Sequence, residues 1–188
     1  MTVTRTRTRT QTQESALAAA YREFFAEHLR YVWRTLRRLG VAEKDCEDVA
    51  QEAFIAIHKH FAERDPARPV KPWIFGFAFR VALAHKRRAS TKSEVLGEVV
   101  DAVADSAPDP ATVTEARDAY RVVHAALAAL PMEQRAVVIM HELDDIGAPE
   151  IAEALAIPLN TVYSRLRLGR DRLRTILAAE ADGKEEPS

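Results

Sequence analysis

Apolar residues recur at spacings of three and four along two long stretches of this chain, a periodicity that restricts both to helices burying one face. From about Ser15 to Leu39 the apolar positions are Leu17, Tyr21, Phe24, Phe25, Leu29, Val32, Trp33 and Leu36, enough for one amphipathic helix or two, and Gly40 is placed to end it. Glu43 to Phe61 repeats the pattern through Cys46, Val49, Ala50, Ala53, Phe54, Ile57 and Phe61. Glu43, Asp45, Glu47 and Asp48 give its first turns the negative charge that suits a helix N-terminus. The three prolines of AERDPARPVKP demand a loop. Trp73 to Arg88 then forms a third helix, ending in the basic cluster His85, Lys86, Arg87 and Arg88.

Periodicity is lost over residues 89–113, where Ser, Asp, Ala and two prolines gather in DSAPDPAT, so this stretch is expected to be a flexible acidic linker. A second block begins near Thr114, runs to Leu130, restarts after Pro131 and continues through Ala148 to Leu155 and Leu159 to Leu177, giving four short helices. The alternating Thr and Arg of the first residues offer no apolar face and read as a disordered basic arm. The expected organisation is all-α: an arm over 1–14, a helical bundle over 15–88, the linker 89–113, a four-helix domain over 114–178 and an acidic tail over 179–188.

The six glycines among 188 residues favour helix over strand, and 47% hydrophobic with 29% charged residues fits a globular chain. The formal net charge of -1 conceals segregation. Residues 1–88 carry about +7, 89–116 about -5, 131–156 about -5 and 157–175 about +4, so two basic blocks alternate with acidic ones. A single cysteine, Cys46, excludes an internal disulfide and a cysteine-rich zinc site. With no apolar run of membrane-spanning length and no signal-peptide pattern, a cytoplasmic location is expected.

The sharpest local pattern is PEIAEALAIPLNTVYSRLRLGRDRLR. Ile151, Ala152, Leu155, Ile157, Val162 and Leu166 are spaced to pack two short helices across a tight turn, as in a helix-turn-helix. The second helix of such a unit enters the major groove by its N-terminal residues, which makes Asn160, Thr161, Tyr163, Ser164, Arg165 and Arg167 candidates for base and phosphate contacts. Arg170, Arg172 and Arg174 extend the basic face. In the first block Phe61, Lys71, Trp73, Phe75, Phe77, Phe79 and Arg80 interleave aromatics with cations before His85, Lys86, Arg87 and Arg88, a composition suited to stacking unpaired bases while neutralising phosphates. About half of those aromatics are expected in the core instead, Trp73 being the least core-like.

DCEDVAQEAFIAIHKHF with PVKPWIFGFAFRVALAHKRR resembles the second conserved region of the extracytoplasmic-function sigma factors. LPMEQRAVVIMHELDDIGAPEIAEALAIPLNTVYSRLRLGRDRLR is similar to their fourth. The resemblance covers most of residues 15–178. It implies a factor that binds core RNA polymerase, reads the promoter minus 35 element with Asn160, Thr161, Tyr163, Ser164, Arg165, Arg167 and Arg170, and melts the minus 10 element with the N-terminal block. Lys71, Trp73, Arg80, His85, Lys86, Arg87 and Arg88 are the candidates for that second task. Asp45, Asp48, Gln51 and Glu52 match the polar face that docks on the polymerase clamp helices, although their place at a helix start would also suit simple capping. An anti-sigma factor is a further partner of the kind the resemblance implies.

The chain departs from that pattern at Ala78, Phe79 and Arg80, where relatives commonly carry Ala-Arg-Asn, and at Ala84, where they carry an acid. Ala156 replaces a frequent glycine in the turn, acceptable if that position avoids positive backbone angles. No catalytic constellation or phosphate-cradling glycine loop is present. His58, His60 and His85 lack ligand-spaced partners, so neither enzymatic activity, cofactor nor metal is expected. Two other readings remain: a helix-turn-helix regulator that never docks on polymerase, which leaves the first block unexplained, and a helical interaction module, which explains neither basic block. Because exposed apolar and basic docking faces would bind DNA indiscriminately, the free protein is expected to be compact and restrained, by its own acidic linker or by a partner.

Overall fold

The computed structural model describes the backbone of residues 3–96 and 114–182 and the side chains of 15–91 and 121–179. Seven α-helices and no strand occur among the described residues: α1 Val3–Leu39, α2 Glu43–His60, α3 Val70–Leu96, α4 Thr114–Ala128, α5 Met132–Val138, α6 Ala148–Leu155 and α7 Leu159–Asp182. A 3-10 turn, Phe61–Glu63, follows α2, and α5 continues into a π turn, Ile139–Leu143.

Four boundaries differ from expectation, each by extension of a helix. α3 begins at Val70, so Val70, Lys71 and Pro72 leave the expected proline loop for the first turn of the helix. The helix expected from Ser15 begins at Val3, so the Thr/Arg tract continues α1 instead of forming a disordered arm. Lengthening an existing helix adds a backbone hydrogen bond per residue without the nucleation penalty, and arginine is a good helix former even though threonine is not. By the same logic α3 runs past Arg88 to Leu96, taking the first residues assigned to the linker, and α7 runs to Asp182. The rest of the expected linker, 97–113, and tail residues 183–188 lie outside the described residues.

In the N-terminal half α1, α2 and α3 pack around Val32, Leu36, Val49, Ile57, Ile74 and Phe75, all shut from solvent. Cys46 is buried with them, and burial pushes its thiol up to about 11, so it is packing material at neutral pH. In the C-terminal half Val137, Val138, Ile139, Met140, Ile151 and Val162 play the same part. The two halves share one continuous apolar core, with α1 against α4 and α5 and α3 against α6.

The joint between the halves is built on helix ends. At the end of α1 Gly40 adopts φ +93, a left-handed conformation that glycine enters without steric strain. Its N–H donates to Arg37 O and that of Val41 to Leu36 O, both at 3.0 Å, which closes a Schellman cap. Leu39 O takes instead a 2.8 Å bond from Arg135 Nη1, while Arg135 Nη2 donates to Leu130 O at 2.9 Å and to Ala128 O. Arg135 is buried, and no carboxylate lies within ion-pair distance of it among the described residues. Its charge is balanced by carbonyls at the negative ends of two helices.

Beside it, Asp144 accepts the Tyr31 hydroxyl at 2.7 Å and Arg38 Nη1 at 3.2 Å. His124 bonds Arg37 O at 3.1 Å, its neutral ring donating through Nε2. Burial, assisted by the charges of Arg37 and Arg135, holds its pKa below the ordinary histidine value, although the bond to the Arg37 carbonyl opposes that shift.

Two outcomes follow from this joint. Arg135→Met leaves three carbonyls without their donor and should lower stability by about 2–4 kcal/mol, read as a fall in the urea midpoint. His124 binds a proton more weakly folded than unfolded, so its contribution is complete above pH ~6.5 and is lost as pH falls through the depressed folded pKa. In thermal melts wild type should therefore lose more stability between pH 7.5 and pH 5 than His124→Gln, which keeps a donor and does not titrate.

Candidate nucleic-acid interface

α6 and α7 form the expected helix-turn-helix. Pro149 stands in the first turn of α6, where its missing N–H is harmless, and Glu150 Oε2 accepts from Gly147 N at 3.2 Å, one half of a capping box. The turn is a second Schellman cap: Ala156 N donates to Glu153 O at 3.1 Å and Ile157 N to Ala152 O at 2.9 Å. Ala156 adopts φ 52, ψ 48, so it occupies the left-handed conformation that the sequence reading required it to avoid. Closing the turn demands that angle whatever the residue. Ile151, Val162 and Leu166 are buried where the two helices meet, and Thr161 N and Val162 N start α7 by bonding Pro158 O.

The first turns of α7 present Asn160, Tyr163, Ser164 and Arg167 to solvent, with Thr161 and Arg165 half-buried. Tyr163 is 53% exposed, which is unusual for a large aromatic and leaves its ring available to a partner. Ser164 Oγ donates to Thr161 O at 3.0 Å, so its hydroxyl proton is engaged within the helix. Arg170 behaves differently from the others: its Nε donates to Glu142 Oε1 at 2.8 Å, tying α7 to the π turn. Arg172 bonds Gln134, and Arg167 and Arg174 both lie near Asp171, at 3.7 and 3.0 Å. These pairs are exposed and readily exchanged for phosphate.

The N-terminal candidates do not form one patch. Lys71 and Trp73 start α3, whereas His85, Lys86, Arg87 and Arg88 lie at least about 18 Å farther along it at 1.5 Å per residue. Trp73 is half-buried and meets Phe24 and Phe77 edge-on, with centroids 6.1 and 5.0 Å away. Phe75, Phe77 and Phe79 are buried, so the aromatic half of the interleaved motif is largely core. Arg80 lies 4.5 Å over the Phe77 ring, and its partial desolvation lowers its pKa.

At the far end of α3, Arg88 Nη2 holds Glu52 at 2.9 and 3.0 Å and His85 lies 3.4 Å from Asp45. Two of the candidates for clamp docking thus pair with two of the candidates for strand binding. Asp48 and Gln51 remain exposed, opposite the buried Val49, Ala53 and Phe54. The helical period separated those faces correctly; it could not show that α2 and α3 place their charges side by side.

Sequence reasoning missed Arg68, whose guanidinium clasps Glu153 of α6 in two parallel bonds, with Nη2 to Oε2 at 2.6 Å. It also missed Tyr31, Asp144 and Arg135. Nothing in their local sequence marks them, since each has a partner far along the chain: Tyr31 with Asp144, and Arg135 with Leu39.

The comparisons agree with the two halves. Residues 24–91 match the family model "Sigma-70 region 2" and residues 120–173 match "Sigma-70, region 4". The chain is 32% identical to the ECF RNA polymerase sigma factor SigL of Mycobacterium tuberculosis, covering 87% of this chain and 92% of that protein. It is 30% identical to SigE of Mycolicibacterium smegmatis over 88% of this chain, but spans only 64% of that longer relative. Among solved structures, the sigma factor RpoE crystallised with the anti-sigma factor NepR from Bartonella quintana shares the fold, with a TM-score of 0.66 at 18% identity over 83% of this chain and 98% of that one. The chain belongs to the ECF family of sigma-70 type factors.

The strained turn gives a direct test. Ala156→Gly removes the Cβ contact that disfavours the left-handed conformation, and should stabilise the protein by about 0.5–1 kcal/mol. A melting temperature higher by roughly 1–4 °C is the expected reading.

Proposed function

We propose that this protein directs core RNA polymerase to a set of promoters, with α7 reading minus 35 duplex, α3 and its neighbours engaging the melted minus 10 strand, and α2 docking on the polymerase clamp. The observation that carries this reading is the solvent-facing first turn of α7, behind a closed helix-turn-helix turn, in a chain whose other half matches region 2. A regulator that bound DNA alone would need only the C-terminal half. The reading assigns the chain a binding role and places it in the cytoplasm, where promoter DNA is. No described helix is long and apolar enough to cross a membrane.

Within the minus 35 set the weight falls on Asn160, Tyr163, Arg165 and Arg167, whose side chains lie on the first turns of α7 and are not tied to another helix, unlike that of Arg170. Asp48 and Gln51 are the favoured docking residues because Asp45 and Glu52 already meet α3. An anti-sigma factor is proposed as a further partner, since the similar RpoE is found in complex with the anti-sigma factor NepR.

Run-off transcription with core polymerase on a genomic promoter library tests the reading. Wild type should give discrete start sites that core enzyme alone lacks. Arg167→Ala and Arg165→Ala should each reduce promoter-specific transcript by roughly tenfold, as loss of a contact worth about 1–3 kcal/mol requires. Asp48→Arg should stay folded yet fail to co-purify with core polymerase. Unchanged transcription by the two arginine variants would show that α7 is not the reading helix, and core binding by folded Asp48→Arg would remove the α2 docking face.

A further inference from the structure

The first turns of α1 carry three arginines that the fold and the two DNA-facing sets leave without a task. Arg5, Arg7 and Arg9 supply three of the roughly seven net positive charges of residues 1–88, and no acid precedes Glu14 in the sequence. None of the three has an acidic residue three or four positions away along the chain, where a helix would pair it. The first turn of α1 holds no acid either. Cations at a helix start oppose the helix dipole, so these arginines are not placed there to stabilise α1.

The tract enters the bundle at a defined place. The Tyr21 ring meets His58 and Phe61 with centroids 4.5 and 5.2 Å away, and Phe24 meets Phe61 and Trp73 at 5.0 and 6.1 Å. Ser15, Ala16, Leu17 and Ala18, the turn before that cluster, are exposed. The arginine-bearing turns thus precede the bundle at the end where α3 starts with Lys71 and Trp73, not at the end that carries Lys86, Arg87 and Arg88. At 1.5 Å per residue Arg9 stands about 22 Å and Arg5 about 28 Å along the helix from Phe24, a reach of roughly 6–8 base pairs at 3.4 Å per pair.

Arg5 and Arg9, four residues apart, share one side of the helix by its period, and the position of Arg7 falls nearly opposite. That register suits a helix about 10–12 Å across lying in a major groove about 12 Å wide, with a phosphate backbone along either flank. Guanidinium groups match phosphate in bidentate fashion, threonine hydroxyls also bond phosphate oxygens, and the tract holds no acid to repel them. A repeat of two residue types carries no pattern with which to read successive bases. Its chemistry fits the backbone alone.

We propose that residues 3–14, the arginine-bearing start of α1, bind the phosphate backbones of duplex DNA without regard to sequence, beside the elements that α3 and α7 read. The proposal rests on the reading of the chain as a promoter-binding factor. What the tract adds is affinity and salt dependence, not the choice of promoter.

The test uses holoenzyme assembled from the full chain and core polymerase, titrated with a labelled promoter duplex and with a non-promoter duplex of equal length across about 0.05–0.3 M salt. One variant combines Arg5→Gln, Arg7→Gln and Arg9→Gln; another combines Arg5→Lys, Arg7→Lys and Arg9→Lys. Glutamine and lysine form helix about as well as arginine, so α1 is kept. At about 0.9 per phosphate, the glutamine variant should lower the slope of log affinity against log salt by roughly 2–3, and weaken binding near 0.1 M salt at least about tenfold on both duplexes alike. The lysine variant should keep the wild-type slope. Hydroxyl-radical footprints of wild type should extend roughly 6–8 base pairs beyond those of the glutamine variant, on one side only. An unchanged slope, or footprints of equal extent, overturns the site. So does a loss confined to the promoter duplex, or weaker assembly with core polymerase in the absence of DNA, which would assign the arginines to an acidic protein surface. The promoter reading is judged apart: if wild-type holoenzyme gives no discrete start sites that reading fails, while the slope on the non-promoter duplex still decides whether the tract binds phosphate.

Discussion

A helix that ends inside a protein leaves carbonyls that water cannot reach, and the arrangement of this molecule follows from how those groups are satisfied. Arg135 is the principal answer. One guanidinium gathers Leu39 O from α1 with Ala128 O and Leu130 O from the end of α4, and so fixes the N-terminal bundle to the C-terminal domain at a single buried point. A lysine could not serve, because its ammonium lacks the planar fork that reaches carbonyls on two helices at once. Gly40 belongs to the same device: any side chain there would collide with the Arg135 guanidinium, and φ +93 would strain it besides.

Once that point is fixed, the neighbouring polar groups have few alternatives. Asp144 is drawn under α1, where Tyr31 and Arg38 compensate its loss of water, and burial with the bond to Asp144 drives the Tyr31 phenol far above the range in which it could ionise. His124 is held neutral against Arg37 O. A polar interface of this kind gives less net stability per contact than an apolar one, since desolvation offsets much of each bond. What it supplies is register between the two halves.

The periodicity of the sequence was sufficient for the seven helices and for the two faces of α2, with Val49, Ala53 and Phe54 in and Asp48 and Gln51 out. On α1, however, Leu17, Phe25 and Leu29 of the expected apolar face are exposed. Gly40 ended α1 where a left-handed residue was needed. Ends were less legible where no breaker stands. α3 passes through Ala89 and Ser90 because nothing in that stretch forbids a helix, and α1 starts at Val3 because threonine and arginine alternate without a proline or glycine. Composition suggested stacking aromatics around Trp73, but Phe75, Phe77 and Phe79 are all buried once α3 packs against α1, α2 and α6, a distinction that requires knowing the partner helices. The same gap hid Arg68, Arg135 and Gly76, whose roles depend on residues 85, 96 and 78 positions away.

Ala156 shows how local strain and long-range contact are coupled in this fold. The turn between α6 and α7 must adopt a left-handed residue to orient the reading helix, and alanine does so at some expense in stability. A glycine would relax the turn, but the turn also fixes where the Ala154 carbonyl near the end of α6 points, and it is that carbonyl which Arg80 meets over Gly76. The geometry that leaves the first turns of α7 facing solvent is thus the geometry that turns the end of α6 inward against α3. A change in one face is felt at the other through two residues of backbone, so Arg80 bears directly on the joint between the halves.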